Sequence, residues 1–130
     1  MLRKLLHPIQ YARSAVREKS KSKKRSSRWD EVRDTFILEH PTCAACGATN
    51  KLQVHHILPF HLRPELELNP KNLIVLCMGI NECHLEIGHG GSFRCYNPQV
   101  VIHAKRFLME SEPDARQFII EHSRMIREKA

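Results

Sequence analysis

The spacing of four of the five cysteines constrains this chain more than any other feature of its sequence. Cys43 and Cys46 form a C-x-x-C pair that runs into Gly47, and Cys77 and Cys83 form a second pair farther downstream. Four thiolates presented by two turns are what a tetrahedral structural zinc site requires. The pattern therefore predicts a structural Zn²⁺ held by all four side chains.

The second pair has an unusual spacing, because five residues, 78–82, separate its members. Two to four residues are common between such ligands, so this segment must bulge if both sulfurs are to reach one ion. The alternative is that the four cysteines are free thiols packed as small hydrophobic side chains. Cys95 follows no ligand spacing, and we expect an ordinary thiol there.

Length and composition indicate a single small domain. A chain of 130 residues with 42% hydrophobic residues has room for one modest core. No apolar run approaches the roughly 20 residues of a membrane-spanning helix, and Arg3, Lys4 and Pro8 break the N-terminal leucines before a signal-peptide core forms. We therefore expect a cytoplasmic protein without membrane contact, in which cysteines serve as metal ligands rather than disulfides.

Charge is unevenly divided along the chain, whose formal net charge is +7. Residues 1–28 hold ten Lys or Arg residues and one acid, whereas the remainder holds eleven basic and thirteen acidic residues. Such a run indicates a flexible basic arm, residues 1–27, that neutralises phosphates and releases counterions when nucleic acid binds. Five cations are the candidate nucleic-acid contacts: Lys21, Lys23, Lys24, Arg25 and Arg28.

Hydrophobic periodicity predicts the elements around the cysteines. Trp29, Val32 and Phe36 recur at helical spacing, and Pro41 ends that helix. Two later segments are rich in β-branched and apolar residues and indicate antiparallel strands joined by a wide loop with three prolines. We expect a helix over 27–40, strands over 52–58 and 73–77, and a short helix over 81–87.

Two further helices are expected near the C-terminus. Asn97 and Pro98 begin the first, and the second begins near Pro113. The apolar stripe of the first is Val100, Val101, Ala104, Phe107 and Leu108, and that of the second is Phe118, Ile119, His122, Met125 and Ile126. We expect both stripes to complete the core, so that residues 99–130 pack on a domain formed by residues 28–98.

Three histidines accompany the expected zinc scaffold. His55 and His56 are adjacent in a strand, so their side chains diverge, and His84 directly follows Cys83. Each histidine alone has an ordinary structural explanation. Their coincidence with the cysteine pairs and with Asn72 indicates a functional site.

These residues, in this order, resemble the HNH endonucleases, particularly the short versions found in phage and bacterial genomes. The similarity covers residues 29–98. It rests on the two cysteine pairs, on Val54-His55-His56-Ile57 with Pro59, on Asn72-Leu73-Ile74-Val75-Leu76-Cys77 and on Cys83-His84. It implies an α+β fold with a ββα-metal (HNH or His-Me finger) core and a zinc knuckle, flanked by an N-terminal helix and C-terminal helices. The longer second cysteine spacing and the long loop before Asn72 depart from the commonest pattern.

The resemblance implies a metal-dependent endonuclease that hydrolyses phosphodiester bonds of DNA, with double-stranded DNA the expected partner. In that function His55 and His84 ligate a catalytic divalent ion, His56 is the general base, and Asn72 braces the loop over the hairpin. Apart from the resemblance, the glycines around His89 could return it to the metal, so His89 is a candidate third ligand or phosphate contact, and otherwise a capping or surface residue. Imidazole ligands do not decide the metal, so Mg²⁺, Mn²⁺, Ni²⁺ and Zn²⁺ are all candidates.

Two other functions fit part of the pattern: a non-catalytic zinc-ribbon module that binds nucleic acid, and a zinc knuckle that binds a protein. Neither explains why the histidines and Asn72 coincide. One active site per chain cuts one strand, so a double-strand break would need a homodimer or two visits, and a phage or restriction protein is the other expected partner. Among the other histidines, His61 lies in the loop near the expected cleft, and His7, His40, His103 and His122 are expected to be structural or at the surface.

Overall fold

The computed structural model describes residues 24–130 and shows a mixed α+β protein with two small sheets. Helix α1 spans Trp29–Glu39, strand β1 Leu52–His56, strand β2 Leu73–Cys77, a π-helical turn His84–Gly88, strand β3 Cys95–Tyr96, helix α2 Val100–Met109, helix α3 Pro113–Ile126 and strand β4 Glu128–Lys129. None of the helices in this part of the chain is both long and apolar enough to cross a membrane.

Strands β1 and β2 form an antiparallel hairpin whose register pairs Leu52 with Cys77 and His56 with Leu73. β1 ends at His56, two residues before the expected end at Leu58. The physical reason is Asn72, which accepts the N–H of Ile57 at its backbone oxygen (2.8 Å) and the N–H of Leu58 at its side-chain oxygen (2.8 Å). These bonds replace the strand ladder and begin the wide loop.

The hairpin lies between two hydrophobic clusters. Because side chains alternate along a strand, Val54 and Val75 contact α1 through Phe36, while Leu76 contributes to a larger cluster. That larger cluster also contains buried cysteines and parts of the C-terminal helices. Its buried members are Cys43, Ala45, Leu76, Cys77, Cys83, Ile87, Val100, Ala104, Phe107 and Ile119.

The expected apolar stripes of the C-terminal helices are wrong in part. Val101 and Leu108 of α2 are exposed, and in α3 Phe118 and Met125 are 68% and 81% exposed. Polar residues take the buried positions instead: His103 in α2 and Ser123 in α3, which are hydrogen-bonded to each other. Burial is possible for these groups because each has partners inside the protein.

Strands β3 and β4 form a second antiparallel pair, with Cys95 opposite Lys129 and Tyr96 opposite Glu128. The sequence pattern does not predict this sheet, because each strand has only two residues. The segment before α2 is therefore a strand, and α2 begins at Val100 rather than at Asn97. This pairing ties the end of the described chain to the segment that follows the glycines.

Two candidate metal centres and a histidine cleft

Four cysteines form the first candidate metal centre, and their sulfurs all lie within 4.8 Å of one another. Cys43, Cys77 and Cys83 are buried and Cys46 is half-buried. The first turn is a tight knuckle in which the N–H of Gly47 donates to the oxygen of Cys43 (2.9 Å), and a φ of 77° at Gly47 requires a glycine. The cluster is compatible with a zinc site.

The unusual second spacing is accommodated by a local bulge, as expected. The N–H of Met78 donates to the oxygen of Lys51 (2.9 Å), and the N–H of Glu82 donates to the oxygen of Gly79 (3.2 Å). Glu82 adopts a φ of 48°, in the left-handed region. This backbone reversal returns Cys83 to the sulfur cluster.

The thiols of the cluster affect one another strongly. A hydrogen bond from Cys83 lowers the pKa of Cys43 to about 4, and the same bond raises the pKa of Cys83. Burial raises the pKa of Cys46. One thiolate is thus stabilised at the expense of its neighbours, whereas a bound cation stabilises all four thiolates together.

Three histidines form the second candidate metal centre: one ring nitrogen from each of His55, His84 and His89 lies within 4.8 Å of the others. β1 carries His55, the π-turn begins with His84, and His89 directly follows the turn. In an α-helix, residues five apart point in different directions. Here the N–H of His89 donates to the oxygen of His84 (3.1 Å), a five-residue bond that turns both rings to the same side.

Hydrogen bonds assign the tautomers of two of these rings. The Nδ1–H of His84 donates to Oε1 of Gln53 (2.7 Å), and the Nδ1–H of His89 donates to the carbonyl oxygen of Cys95 (2.7 Å). Both Nε2 atoms then carry lone pairs, yet they lie 3.2 Å apart. Two nitrogens bound to one ion at roughly 2.1 Å are separated by about 3.0–3.4 Å, so this spacing fits a shared cation.

His55 completes this set from the hairpin side. It is 2% exposed, and its Nε2 has no hydrogen-bond partner among the described residues. A Cβ on Gly88 would lie 3.2 Å from the ring of His55 and 3.0 Å from the buried Leu76, so any larger residue there would have to displace one of these side chains. An orphaned buried nitrogen beside two converging lone pairs is the arrangement that a cation satisfies.

The three rings are held in the neutral form that binds metals. Burial lowers the pKa of His55 well below its usual range, with a further contribution from the neighbouring histidines. Burial and the proximity of His89 lower the pKa of His84 to about 4, and burial also lowers that of His89 against the effect of the Cys95 carbonyl. Protons therefore compete weakly with a cation at neutral pH.

His56 lies next to this centre but has different contacts. Its Nε2–H donates to the carbonyl oxygen of Glu67 (2.9 Å), and its ring lies 4.5 Å from the ring of Trp29. In a neutral imidazole this leaves Nδ1 as the nitrogen able to accept a proton. Burial lowers the pKa of His56, partly opposed by the Glu67 carbonyl.

A cleft of about 190 Å³ joins His56 to the histidine centre. Its lining includes Arg25, His55, His56, Phe60, His61, His84, His89 and Phe93. The guanidinium carbon of Arg25 lies 4.6 Å from the ring of Phe60, and its Nη1 lies 3.5 Å from Oε2 of Glu67. A larger groove, of about 610 Å³, is lined by none of the residues of either centre.

The remaining residues singled out by sequence lie in several places. Asn72 is buried, and its Nδ2–H donates to the oxygen of Leu58 (3.1 Å). Lys24 and Arg28 are exposed, and Arg28 lines a groove without the clustered histidines. Lys21, Lys23 and His7 lie outside the described residues, as does most of the basic arm. His103 is buried and hydrogen-bonded, in agreement with a structural role, and the Nδ1–H of His40 donates to the carbonyl oxygen of Phe36 (3.0 Å).

Two contributors to the site were missed at the sequence level. Gln53 lies two residues before His55 on the same face of β1, and this alternation is a signal that points to it. Glu67 lies in the wide loop and contacts His56 through its backbone, which no sequence pattern reveals. Its buried carboxylate also accepts the N–H of Ser26 (3.1 Å).

Comparisons with models of protein families, with curated proteins and with solved structures found no match for this chain. This protein is a mixed α+β chain with two clusters, of four cysteines and of three histidines, each of which can hold a metal ion.

Proposed function

We propose that this chain is a metal-dependent endonuclease of the HNH type, with a ββα-metal core, that hydrolyses DNA phosphodiester bonds. One observation carries the proposal: the ring nitrogens of His55, His84 and His89 converge in the cleft that His56 also lines. These three residues would hold the catalytic ion. When bound, a divalent ion supplies positive charge that polarises a phosphodiester and stabilises the leaving oxygen.

His56 takes the proton of the attacking water at Nδ1. The Glu67 carbonyl holds the opposite nitrogen as a donor and so keeps Nδ1 unprotonated. Because burial lowers its pKa, the ring is neutral near pH 7, as a base must be. Trp29 covers the ring and limits its rotation. Such general-base assistance contributes roughly 10²–10⁴-fold to a rate.

Arg25 binds the phosphate of the substrate at the mouth of the cleft. Its side chain is 51% exposed, yet Phe60 on one side and Glu67 on another restrict its position. A planar guanidinium held in this way matches two phosphate oxygens at once. The excess of basic residues before Trp29 adds attraction that does not depend on sequence.

The cysteine centre and Asn72 support this cleft. Zn²⁺ at the four cysteines would join the end of β2 to the start of the π-turn, since Cys77 ends the strand and Cys83 precedes His84. Asn72 binds both polar backbone groups of Leu58, and so closes the base of the wide loop beside His56. Hairpin, loop and turn are thereby fixed relative to one another.

Cleavage of supercoiled plasmid DNA tests the proposal. The zinc-loaded chain should nick the plasmid with Mg²⁺, Mn²⁺ or Ni²⁺, stop when a chelator is added, and recover when the metal is restored. His56→Ala is the matched control for a contaminating nuclease. DNA binding without cleavage with any of these metals or Zn²⁺ would favour the zinc-ribbon function, and no binding at low salt would favour a protein-binding knuckle.

Strand products then give the mode of cleavage. A chain that acts as a monomer should produce nicked circles well before linear DNA, because it has one cleft. Linear product from the start would indicate a homodimer. Matched single-stranded DNA, duplex DNA and RNA of one sequence identify the substrate.

A further inference from the structure

We propose that Asn97 is a positioning residue of the histidine centre, which holds the π-turn in the form that brings His84 and His89 together. Asn97 does not line the cleft; it is 0% exposed and lies between β3 and α2. This inference rests on the proposed function only in requiring that the histidines hold a divalent ion.

The π-turn needs support at its C-terminal end. The last carbonyl groups of any helical segment have no donor within the segment, and buried carbonyls are almost always paired. Asn97 provides both donors here. Its Nδ2–H donates to the oxygen of Ile87 (2.9 Å), and its backbone N–H donates to the oxygen of Gly88 (3.0 Å).

The amide of Asn97 is itself held in one orientation. Its Oδ1 accepts the N–H of Gln99 (2.9 Å), so Nδ2 must face Ile87. The second Nδ2 hydrogen is donated to Nδ1 of His103 (2.7 Å). His103 is 1% exposed, and its remaining Nε2–H donates to Nδ1 of His122 (3.1 Å). Helices α2 and α3 thus hold the side chain of Asn97 in place through His103 and His122, and Asn97 in turn holds the π-turn.

The same segment also holds one of the histidine rings. Cys95, two residues before Asn97, supplies the carbonyl that accepts the Nδ1–H of His89. The backbone of the turn and the ring of His89 are therefore both held from residues 95–97, of which Cys95 lies in β3, the partner of β4. This explains how a segment outside the hairpin contributes to the geometry of the centre.

A surface contact to the same turn provides a matched control. Nη2 of Arg124 lies 2.6 Å from Oε2 of Glu86, and the arginine side chain is 50% exposed. This ion pair touches the turn only through a side chain. The Glu86 side chain is 18% exposed, but the arginine end of the pair lies in solvent, where such pairs contribute little. Arg124→Ala should therefore leave the affinity of the histidine centre within about threefold of wild type.

The test is a Co²⁺ titration of the full chain carrying one zinc, followed by visible absorption. Asn97→Asp keeps the size of the side chain and the acceptor for Gln99 but cannot donate to Ile87. We expect it to weaken Co²⁺ binding about 10–100-fold, the usual effect of losing an outer-shell contact. Asn97→Ala, as the second variant, should do the same. Both should retain one zinc and the native circular dichroism spectrum.

Cleavage kinetics separate positioning from general damage. If Asn97 acts through the metal centre, raising Mn²⁺ should restore most of the rate of Asn97→Asp, because the loss lies in the metal concentration required and not in kcat. A rate that stays low at saturating Mn²⁺ would contradict the proposal.

Three results of the metal-binding measurements would also overturn the inference. Native, zinc-loaded Asn97 variants with wild-type Co²⁺ affinity would show that the turn does not need this residue. Loss of zinc from both variants would assign Asn97 to the stability of the whole domain instead. A wild-type chain that takes up no Co²⁺ beyond its zinc would overturn the proposed function as well, which the first two results would not.

Discussion

The cysteine and histidine centres adjoin in the chain, since Cys83 and His84 are consecutive, but they differ in access to solvent. The sulfurs lie within the larger hydrophobic cluster, whereas the histidines line a cleft of about 190 Å³. Four ligands in a closed site leave no position for a substrate, while three imidazoles leave positions open. The contrast fits the proposal that the cysteine centre serves stability and the histidine centre serves chemistry.

Removing one thiolate is the strongest test of the closed centre. Cys77→Ser should release zinc and unfold the chain, because zinc binding in small domains is worth roughly 10–16 kcal/mol against a total stability of about 5–15 kcal/mol. Circular dichroism and zinc content measure this. Cys95→Ser, a half-buried cysteine outside the cluster, is the control and should keep both. A zinc-free Cys77→Ser chain with a native circular dichroism spectrum would show that the cysteine centre is not needed for stability.

Removing the proposed base should affect cleavage in the histidine cleft and not the cysteine centre. His56→Ala should lower the rate of plasmid cleavage roughly 10²–10⁴-fold and leave the zinc content unchanged. His40→Ala is the control, because His40 is an exposed histidine that does not line the cleft. It should cut at close to the wild-type rate. Wild-type cleavage by His56→Ala would refute the assignment of the base.

The open centre should depend on its supporting contacts more than the closed one. Gln53→Leu removes the acceptor for the Nδ1–H of His84, and should weaken Co²⁺ binding at the histidines about 10–100-fold. Gln53→Glu keeps an acceptor and should bind at least as well as wild type. Equal affinities for both variants would show that this contact does not orient the ring.

Acid should inactivate cleavage by protonating His56. Because its pKa is lowered, the base stays unprotonated below the usual value of about 6.5. At saturating Mn²⁺, kcat/KM should therefore rise with pH to a midpoint below that value and then level off. A midpoint above it would mean that the ring is not held as described.

The smallest effect concerns phosphate binding at the mouth of the cleft. Arg25→Ala should lower the slope of log affinity against log salt by about one, since one phosphate contact is lost. Arg33→Ala removes the same charge from a residue paired with Asp30 and Asp34, outside the cleft. It should change the slope less. If Arg25→Ala and Arg33→Ala changed the salt slope equally, Arg25 would not be a specific phosphate contact of the cleft.

Much of the framework follows from short stretches of sequence. The cysteine spacing predicted the four-sulfur cluster, and the β-branched and apolar residues of 52–58 and 73–77 predicted the hairpin that carries His55. These features were predictable because ligand spacing and strand propensity depend on neighbours within a few residues. The catalytic roles of His56 and Asn72 stay predictions.

The sequence by itself determined which side chains can bind metal and where the longer helices and the β1–β2 hairpin lie, but not the short β3–β4 pair. Only the tertiary structure decided that His89 joins His84 through a π-turn, that Gln53 and Cys95 orient those rings, and that Phe118 and Met125 are exposed. Periodicity predicts which face of a helix is apolar, but it does not predict how much of that face another element covers. Contacts between residues far apart in the chain depend on packing that no local pattern encodes.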